Sequence, residues 1–360
     1  MKPLIIIFLY FFAAFSVHSQ IRPPLKDPKA LYNNIEAAST KIKISPSIRT
    51  SELPTQSASP ELNHLALKHI NEPENVALIL IENGNLIFEG YSKGASSSHR
   101  FASLSMAKTL VSLAIGEAHC AGHIKNLNDK SDLYAKELEG LPIGKSSIRD
   151  LLMMNSGIKI NPSFHGQPYE NSGTDLIFKK ISIIDTIKKY GNESNSFKKF
   201  SYSNLDTEAL NYVIRGATGV TLSEWLAKTV IKKSGFESDS YWASDKIDIE
   251  ISSSFFFATL RDWARLALYI EKSRNDANNE CLSTYLKMAT TKQIEANTTE
   301  YINYGYQFWI NNKNNTDENF WMVGYGGQRI GFNPSKKKIM VNFSWSHDTH
   351  KTFEFFNTWK

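Results

Sequence analysis

Phe101-Ala102-Ser103-Leu104-Ser105-Met106-Ala107-Lys108-Thr109 leads into a stretch where Ala107, Leu110, Val111, Ala114 and Ala118 recur at i, i+3, i+4, i+7 and i+11. That recurrence is the pattern of a helix burying one face. With the helix opening at Ser105, Lys108 lies one turn further on the same face, and its amine reaches the Ser105 hydroxyl. A helix N-terminus also favours the negative charge that develops when a serine attacks a carbonyl. The spacing alone is weak, because Ser156/Lys159, Ser196/Lys199 and Ser335/Lys338 share it. Ser156 precedes Gly157 at an expected helix end, Ser196 lies in a polar run, and Ser335 follows Pro334 in a Lys-rich turn, so only Ser105 opens an amphipathic helix. The competing reading is a helix-start serine followed by a solvated lysine.

Upstream, Val76 to Ile81 and Leu86 to Tyr91 are β-rich runs joined by Glu82-Asn83-Gly84-Asn85, a hairpin signal because Asn-Gly tolerates positive φ at both central positions. A short helix is expected around Leu62 to Ile70. Downstream, residues 120–265 turn helical and loop-rich. They include a capping-box-like start at Ser147-Ile148-Arg149-Asp150, a stop at Gly157 and a helix from Leu205 to Ile214. Strand character returns in Tyr304 to Ile310, Phe320 to Val323, Gln328 to Phe332 and Ile339 to Trp345, before an aromatic C-terminal helix with Phe353, Phe356 and Trp359. Strands at both ends around a helical middle predict an α+β fold: one antiparallel sheet flanked by N- and C-terminal helices, with a mainly helical insertion. The sheet part is expected at about 61–119 and 266–360, the helical part at about 120–265.

With 360 residues, 41% hydrophobic and 12% aromatic, the chain can bury one large core or two joined ones. Its net charge of +5 is scattered through short groups such as Lys198-Lys199 and Lys336-Lys337-Lys338, which reads as solvated surface and argues against nucleic acid as a partner. Residues 1–19 combine Lys2, an apolar run from Leu4 to Val17 and a small-residue end, the layout of a secretory signal peptide. Export to the periplasm or beyond is therefore expected, with no stable membrane insertion after cleavage, and residues 20–60 read as a linker-like leader. Cys120 and Cys281 read as two buried thiols. His119 with His123, and His347 with His350, are poor metal spacings, so neither metal nor cofactor is expected. Oligomeric state leaves no mark on the chain.

A serine nucleophile needs a proton acceptor, a donor for the leaving group and an oxyanion site. Tyr202-Ser203-Asn204, before the Leu205 helix, offers a phenol and a carboxamide. Gly324-Tyr325-Gly326-Gly327-Gln328, between two strands, lets a carbonyl approach backbone N–H groups. Tyr-x-Asn also occurs at Tyr32, Tyr169, Tyr190 and Tyr301, and Lys233-Ser234-Gly235 competes for the third position but is followed by polar residues.

These segments, with Ile148-Arg149-Asp150-Leu151-Leu152-Met153-Met154-Asn155-Ser156-Gly157 and Ala258-Thr259-Leu260-Arg261-Asp262-Trp263-Ala264-Arg265, make the chain resemble the serine beta-lactamase and penicillin-binding protein superfamily over about residues 75–345. The likeness is to the class C beta-lactamase-like branch, with its esterases, DD-peptidases and 6-aminohexanoate oligomer hydrolases. The resemblance implies a beta-lactamase-like fold and an exported serine hydrolase that cleaves a small amide or ester. Ser105 would be acylated, Lys108 and Tyr202 would share its deprotonation, and the Ser105 and Gln328 N–H groups would hold the oxyanion. The proton on this pair stays open between neutral amine with phenol and ammonium with phenolate. Asn204 would bind a substrate amide or the Lys108 amine, and Tyr325, Gly326 and Gly327 would line the acyl site. Tyr325 departs from the family by standing where a lysine is usual, with Arg329, of the same strand parity, as a candidate replacement. A slowly deacylating penicillin sensor or DD-peptidase-like protein is the alternative.

Overall fold

A computed structural model describes residues 40–158, 182–194, 199–298, 300–312, 318–346 and 350–359. The expected signal peptide, the leader as far as residue 39, Tyr32, Lys159, Tyr169, Ser196 and His347 lie outside them. The chain enters as strand β1 (Lys41–Ile44) and reaches helix α1 (Pro60–Asn71), where Ser59 caps the N-terminus by accepting the Leu62 N–H. Strands β2 (Asn75–Glu82) and β3 (Asn85–Tyr91) follow, joined through Asn83 and Gly84 at φ of 50° and 79°, the two positive values a type I′ hairpin requires. Strand β4 (Arg100–Ala102) then runs through a single 3-10 turn, Leu104–Met106, into α2 (Ala107–Cys120).

Helices α3 (Ile148–Leu152), α4 (Ile183–Tyr190), α5 (Asn204–Thr218) and α6 (Leu222–Leu226, extended by Ala227–Ile231 and Lys232–Ser234) build the helical half. Ser147, Ser182, Ser203 and Thr221 cap these four helices with their hydroxyls. Strands β5 (Ser240–Ala243) and β6 (Phe256–Thr259) lead to α7 (Leu260–Arg274) and α8 (Glu280–Ala289). The chain closes with β7 (Ile294–Glu295), β8 (Tyr301–Tyr304), β9 (Trp309–Asn312), β10 (Phe320–Gly324), β11 (Gln328–Asn333), β12 (Lys338–Ser344) and α9 (His350–Thr358).

The main sheet is antiparallel throughout, in the order β3-β2-β12-β11-β10-β9-β8-β7, so the first hairpin pairs with the last strand of the chain. Side chains alternate between its faces. Ile79, Ile81, Ile330 and Val341 face α2 and α7, whereas Leu78, Leu80, Trp321 and Met340 face α1 and α9. Both faces are covered, which is the α+β, beta-lactamase-like arrangement with flanking terminal helices.

Several expectations change. A second sheet, β1-β5-β6-β4, has two of its four strands, β5 and β6, within the span expected to be helical, since strands of three or four residues carry too few alternations to be recognised. Its edge strand β1 and the Thr55 bridge to Leu86 belong to the stretch read as linker, so the chain from residue 40 onward takes part in the fold. The run from Tyr304 to Ile310 is broken into two strands, and Gln307 at φ 60° turns the chain between them. Helix α2 has no solvent stripe: every residue from Ala107 to Ala118 is buried, because the helix passes between the sheet and the helical half. Its polar side chains are accordingly bonded, Thr109 to the Gln307 carbonyl at 2.9 Å and Ser112 to the Tyr285 hydroxyl at 3.0 Å.

The buried-thiol expectation is also overturned. Cys120 and Cys281 form a disulfide with Cα atoms 5.7 Å apart, and Cys281 is exposed. Helix α8 comes this close because Gly116 leaves room for the Tyr285 ring, which a Cβ there would meet at 2.6 Å. No local pattern announces a contact between residues 161 positions apart.

Candidate active site

The segment that carries Ser105 and Lys108 begins where β4 ends. Ser103 is zipped to Phe256 by two hydrogen bonds, its N–H donating to the Phe256 carbonyl at 2.7 Å and its Oγ accepting the Phe256 N–H at 3.0 Å. Leu104 follows at φ 42°, a left-handed conformation that costs a leucine about 1–2 kcal/mol. The Ser103 zip on one side and the fully buried Met106 on the other hold it there. The turn presents Ser105 half-buried two residues before α2.

Lys108 is 1% exposed, so its amine depends on protein partners. Nζ donates to Ser105 Oγ at 3.1 Å and to the Ser253 carbonyl at 2.7 Å, and it lies 5.1 Å from the centroid of the Tyr202 ring. The Ser253 carbonyl is itself placed by Glu208. This buried carboxylate accepts the Ser252 and Ser253 N–H groups at 3.1 and 2.9 Å and the Ser252 hydroxyl at 2.6 Å. Burial pushes the Glu208 pKa up, against these hydrogen bonds.

Tyr202-Ser203-Asn204 enters the site at the start of α5. Ser203 caps that helix by accepting the Asp206 N–H at 3.4 Å, and Asn204 is its half-buried first residue. The loop rests on the Ile148–Gly157 segment: Met154, at φ 56°, accepts the Ser201 N–H at its carbonyl and the Ser203 N–H at its sulfur. Asp206, wholly buried, accepts the Ser156 hydroxyl at 2.7 Å, and desolvation pushes its pKa up to about 7. The Tyr202 ring stacks on Trp309 at 5.3 Å, with Phe200 edge-on to Trp309 at 5.7 Å.

The third segment lies against the first. At Gly324 a Cβ would come within 2.3 Å of the Ser103 carbonyl oxygen, so the close approach of β10 to the Ser103–Ser105 turn requires glycine. Tyr325, Gly326 and Gly327 then form one 3-10 turn, with both glycines at positive φ, 76° and 101°. The Tyr325 ring meets Trp345 edge-on at 5.7 Å. The Gln328 side chain folds back, donating to the Tyr325 and Ser344 carbonyls at 2.7 and 2.9 Å, which leaves its backbone as the part to consider for binding.

Arg329 does not stand in for the missing lysine. The 3-10 turn resets the strand alternation on which that expectation rested. Arg329 points to the outer face, paired with Glu300 at 3.0 Å and set over the Phe353 ring at 5.5 Å. The competing Lys233-Ser234-Gly235 is absorbed structurally, Lys233 by Glu117 and Ser234 by the Val230 carbonyl. The Ala258–Arg265 segment is a brace as well: Asp262 accepts the Glu237 and Ser238 N–H groups, and Arg265 bridges Asp262 and Glu237. Ser253, Glu208 and the left-handed Leu104 were not singled out from the sequence, since none carries a local signal.

An antiparallel sheet covered by helices on both faces, with a Ser-x-x-Lys turn entering its central helix, defines the class of serine beta-lactamase-like proteins. The chain belongs to the beta-lactamase family, whose description matches residues 68–354. Among solved structures it is similar to a Bacillus anthracis protein provisionally identified as a 6-aminohexanoate-dimer hydrolase, at 21% identity, TM-score 0.77 and 92% of each chain covered. It is also similar to a penicillin-binding protein from Bacillus halodurans (15% identity, TM-score 0.63, 82% of this chain and 98% of that one). A class C beta-lactamase compares at 14% identity and TM-score 0.63, with 85% and 99% covered. At these identities the likeness is one of fold. No curated protein matches the sequence.

Proposed function

We propose that the protein is an exported serine hydrolase that cleaves a small amide or ester through an acyl-enzyme on Ser105. The observation that carries this reading is the buried Lys108 amine 3.1 Å from the Ser105 hydroxyl and directly over the Tyr202 ring. Ser105 Oγ bonds to the substrate carbonyl carbon while its proton passes to the Lys108–Tyr202 pair. The Ser105 and Gln328 N–H groups hold the oxyanion. Collapse expels the amine or alcohol, which takes up that proton. Water then repeats the sequence on the ester, releasing the acid and restoring Ser105. Asn204 binds the substrate amide at the mouth.

Tyr325 in the third segment, with Arg329 turned to the other face, favours an uncharged acyl group over the carboxylate-bearing one a lysine would attract. The half-buried rings of Tyr202, Trp309 and Phe200 on one side, and of Tyr325 and Trp345 on the other, favour an apolar one. Export is supported by the Cys120–Cys281 disulfide, a bond that persists in oxidising compartments.

The test is a panel of p-nitrophenyl esters, nitrocefin and D-Ala-D-Ala peptides against wild type and Ser105→Ala. Turnover of a short uncharged ester is expected to fall on the order of 10⁶-fold in the variant, as for comparable nucleophile deletions. Undiminished turnover in Ser105→Ala, with no acyl mass on the wild-type serine, overturns the reading.

A further inference from the structure

Asn342 is the one amide in the run Ile339-Met340-Val341-Asn342-Phe343 of β12, a strand buried along its whole length on both faces. It is 0% exposed and projects to the outer face, where His69 of α1 meets it. The His69 Nε2 lies 3.1 Å from Asn342 Oδ1, and Asn342 Nδ2 donates to the Gly327 carbonyl at 3.3 Å. The chain of contacts settles the tautomer: with Nδ2 donating to Gly327, Oδ1 must accept, so Nε2 carries the proton. His69 is fixed in turn by stacking on Phe355 at 4.4 Å, and its own carbonyl accepts Asn75 Nδ2 at 2.6 Å. Burial lowers the His69 pKa, which favours the neutral ring.

The consequence lies in the peptide unit that ends at Gln328. A trans peptide points its C=O and N–H in opposite directions. Here the Gly327 carbonyl is drawn outward by Asn342 and by the Ser344 hydroxyl at 3.2 Å, both on the α1 side of the sheet. The Gln328 N–H is therefore driven toward the opposite face, on which Met106 and Ala107 of the nucleophile segment pack. Gly327 alone gives no stiffness, since φ of 101° is open to glycine and its backbone moves freely unless something holds the carbonyl.

We propose that Asn342, backed by His69, is a positioning residue that aims the Gln328 N–H at the carbonyl oxygen of the acylating substrate. The inference rests on the serine-hydrolase reading above and adds to it a device that reaches through the sheet from a helix with no other part in the site. Neither side chain touches substrate. Their effect is confined to the orientation of one peptide.

The experiment uses the full chain with p-nitrophenyl butyrate and an alkyl trifluoromethyl ketone, whose hemiketal oxyanion with Ser105 occupies the same position. Asn342→Leu, of similar size, is expected to lower kcat about 10- to 100-fold, less than or near the roughly 10²- to 10³-fold cost of deleting an oxyanion donor, with KM within about twofold. Ketone affinity falls by the same factor as kcat/KM. His69→Phe keeps the stack on Phe355 and shows a smaller loss of the same kind, which His69→Gln, still able to donate to Asn342, reverses. A merely structural role would lower stability without linking ketone affinity to kcat. Asn342→Leu within twofold of wild type, kcat loss with unchanged ketone affinity, or no difference between the two His69 variants overturns the proposal while leaving the hydrolase reading standing. A wild type that neither turns over the ester nor binds the ketone removes both.

Discussion

Reducing the Cys120–Cys281 bond should destabilise the protein without dismantling its site. The bridge closes a loop with a sequence separation of 161. Closing a loop of that length removes roughly 17 cal/mol/K of denatured-chain entropy, about 5 kcal/mol at 25 °C in the chain-entropy account. The native contacts it reinforces are already made: the Tyr285 hydroxyl of α8 donates to the Ser112 carbonyl of α2 at 2.9 Å, and Tyr285 fills the space beside Gly116. The reduced chain therefore keeps its fold, and the loss appears as a shift in the unfolding midpoint. With a urea slope of about 3 kcal/mol/M, the midpoint moves down by about 1.7 M. The assay is urea unfolding followed by tryptophan fluorescence, oxidised against reduced, with thiol titration confirming two free thiols and Cys281→Ser as a control that reductant leaves unchanged. Exposure of Cys281 gives the reductant access. A midpoint unmoved after both thiols are freed would refute the reasoning, as would loss of the native fluorescence spectrum in buffer alone, because α2 and α8 would then depend on the bridge for their packing.

Tyr202→Phe keeps the stack on Trp309 and removes only the hydroxyl, so kcat for an ester should fall about 10²- to 10⁴-fold with the melting temperature unchanged, read by steady-state kinetics beside a thermal melt. Asp206 has a folded pKa raised from 3.8 to about 7, so between those values the native state binds the extra proton; its contribution is full below the unfolded pKa and is lost as pH rises to 7, about 4 kcal/mol in all. Asp206→Asn should flatten this part of the stability profile, checked by urea midpoints at pH 4.5 and 7.5; an identical slope in the variant contradicts the assignment. Gly327→Ala would place a Cβ 1.9 Å from Ser344 Oγ at φ 101° and should abolish ester turnover, whereas Gly84→Ala, with nothing within 4 Å of its Cβ, should cost about 1–2 kcal/mol in a denaturant titration and leave kcat intact.

The relays behind the site explain why its parts were unequally readable. Ser105 and Lys108 are a turn apart, and their contact follows from helix geometry alone, as does the Asn83-Gly84 hairpin from the conformations those two residues accept. The Tyr202 loop was legible as a polar tripeptide before a capped helix, but its height is set by Met154 and Ser156, some fifty positions away. The Arg329 expectation failed because alternation was counted through a 3-10 turn, where it does not hold. The Ser253 carbonyl, the Glu208 clamp and the His69–Asn342 contact have no periodic signature, since each joins elements whose spacing along the chain is arbitrary.

By itself, then, the sequence determined the Asn83-Gly84 hairpin, the Ser105 and Leu205 helices, the C-terminal strands, the Ser147 cap, the flanking of the main sheet by terminal helices and the pairing of one hydroxyl with one amine. These depend on interactions within a few residues and on the period with which side chains alternate. Only the tertiary structure decided which cysteines meet, which way Arg329 turns, what holds the Lys108 amine and what fixes the Gly327 peptide. Such contacts join residues from 15 to 273 positions apart, and their formation depends on how whole layers pack rather than on any local preference.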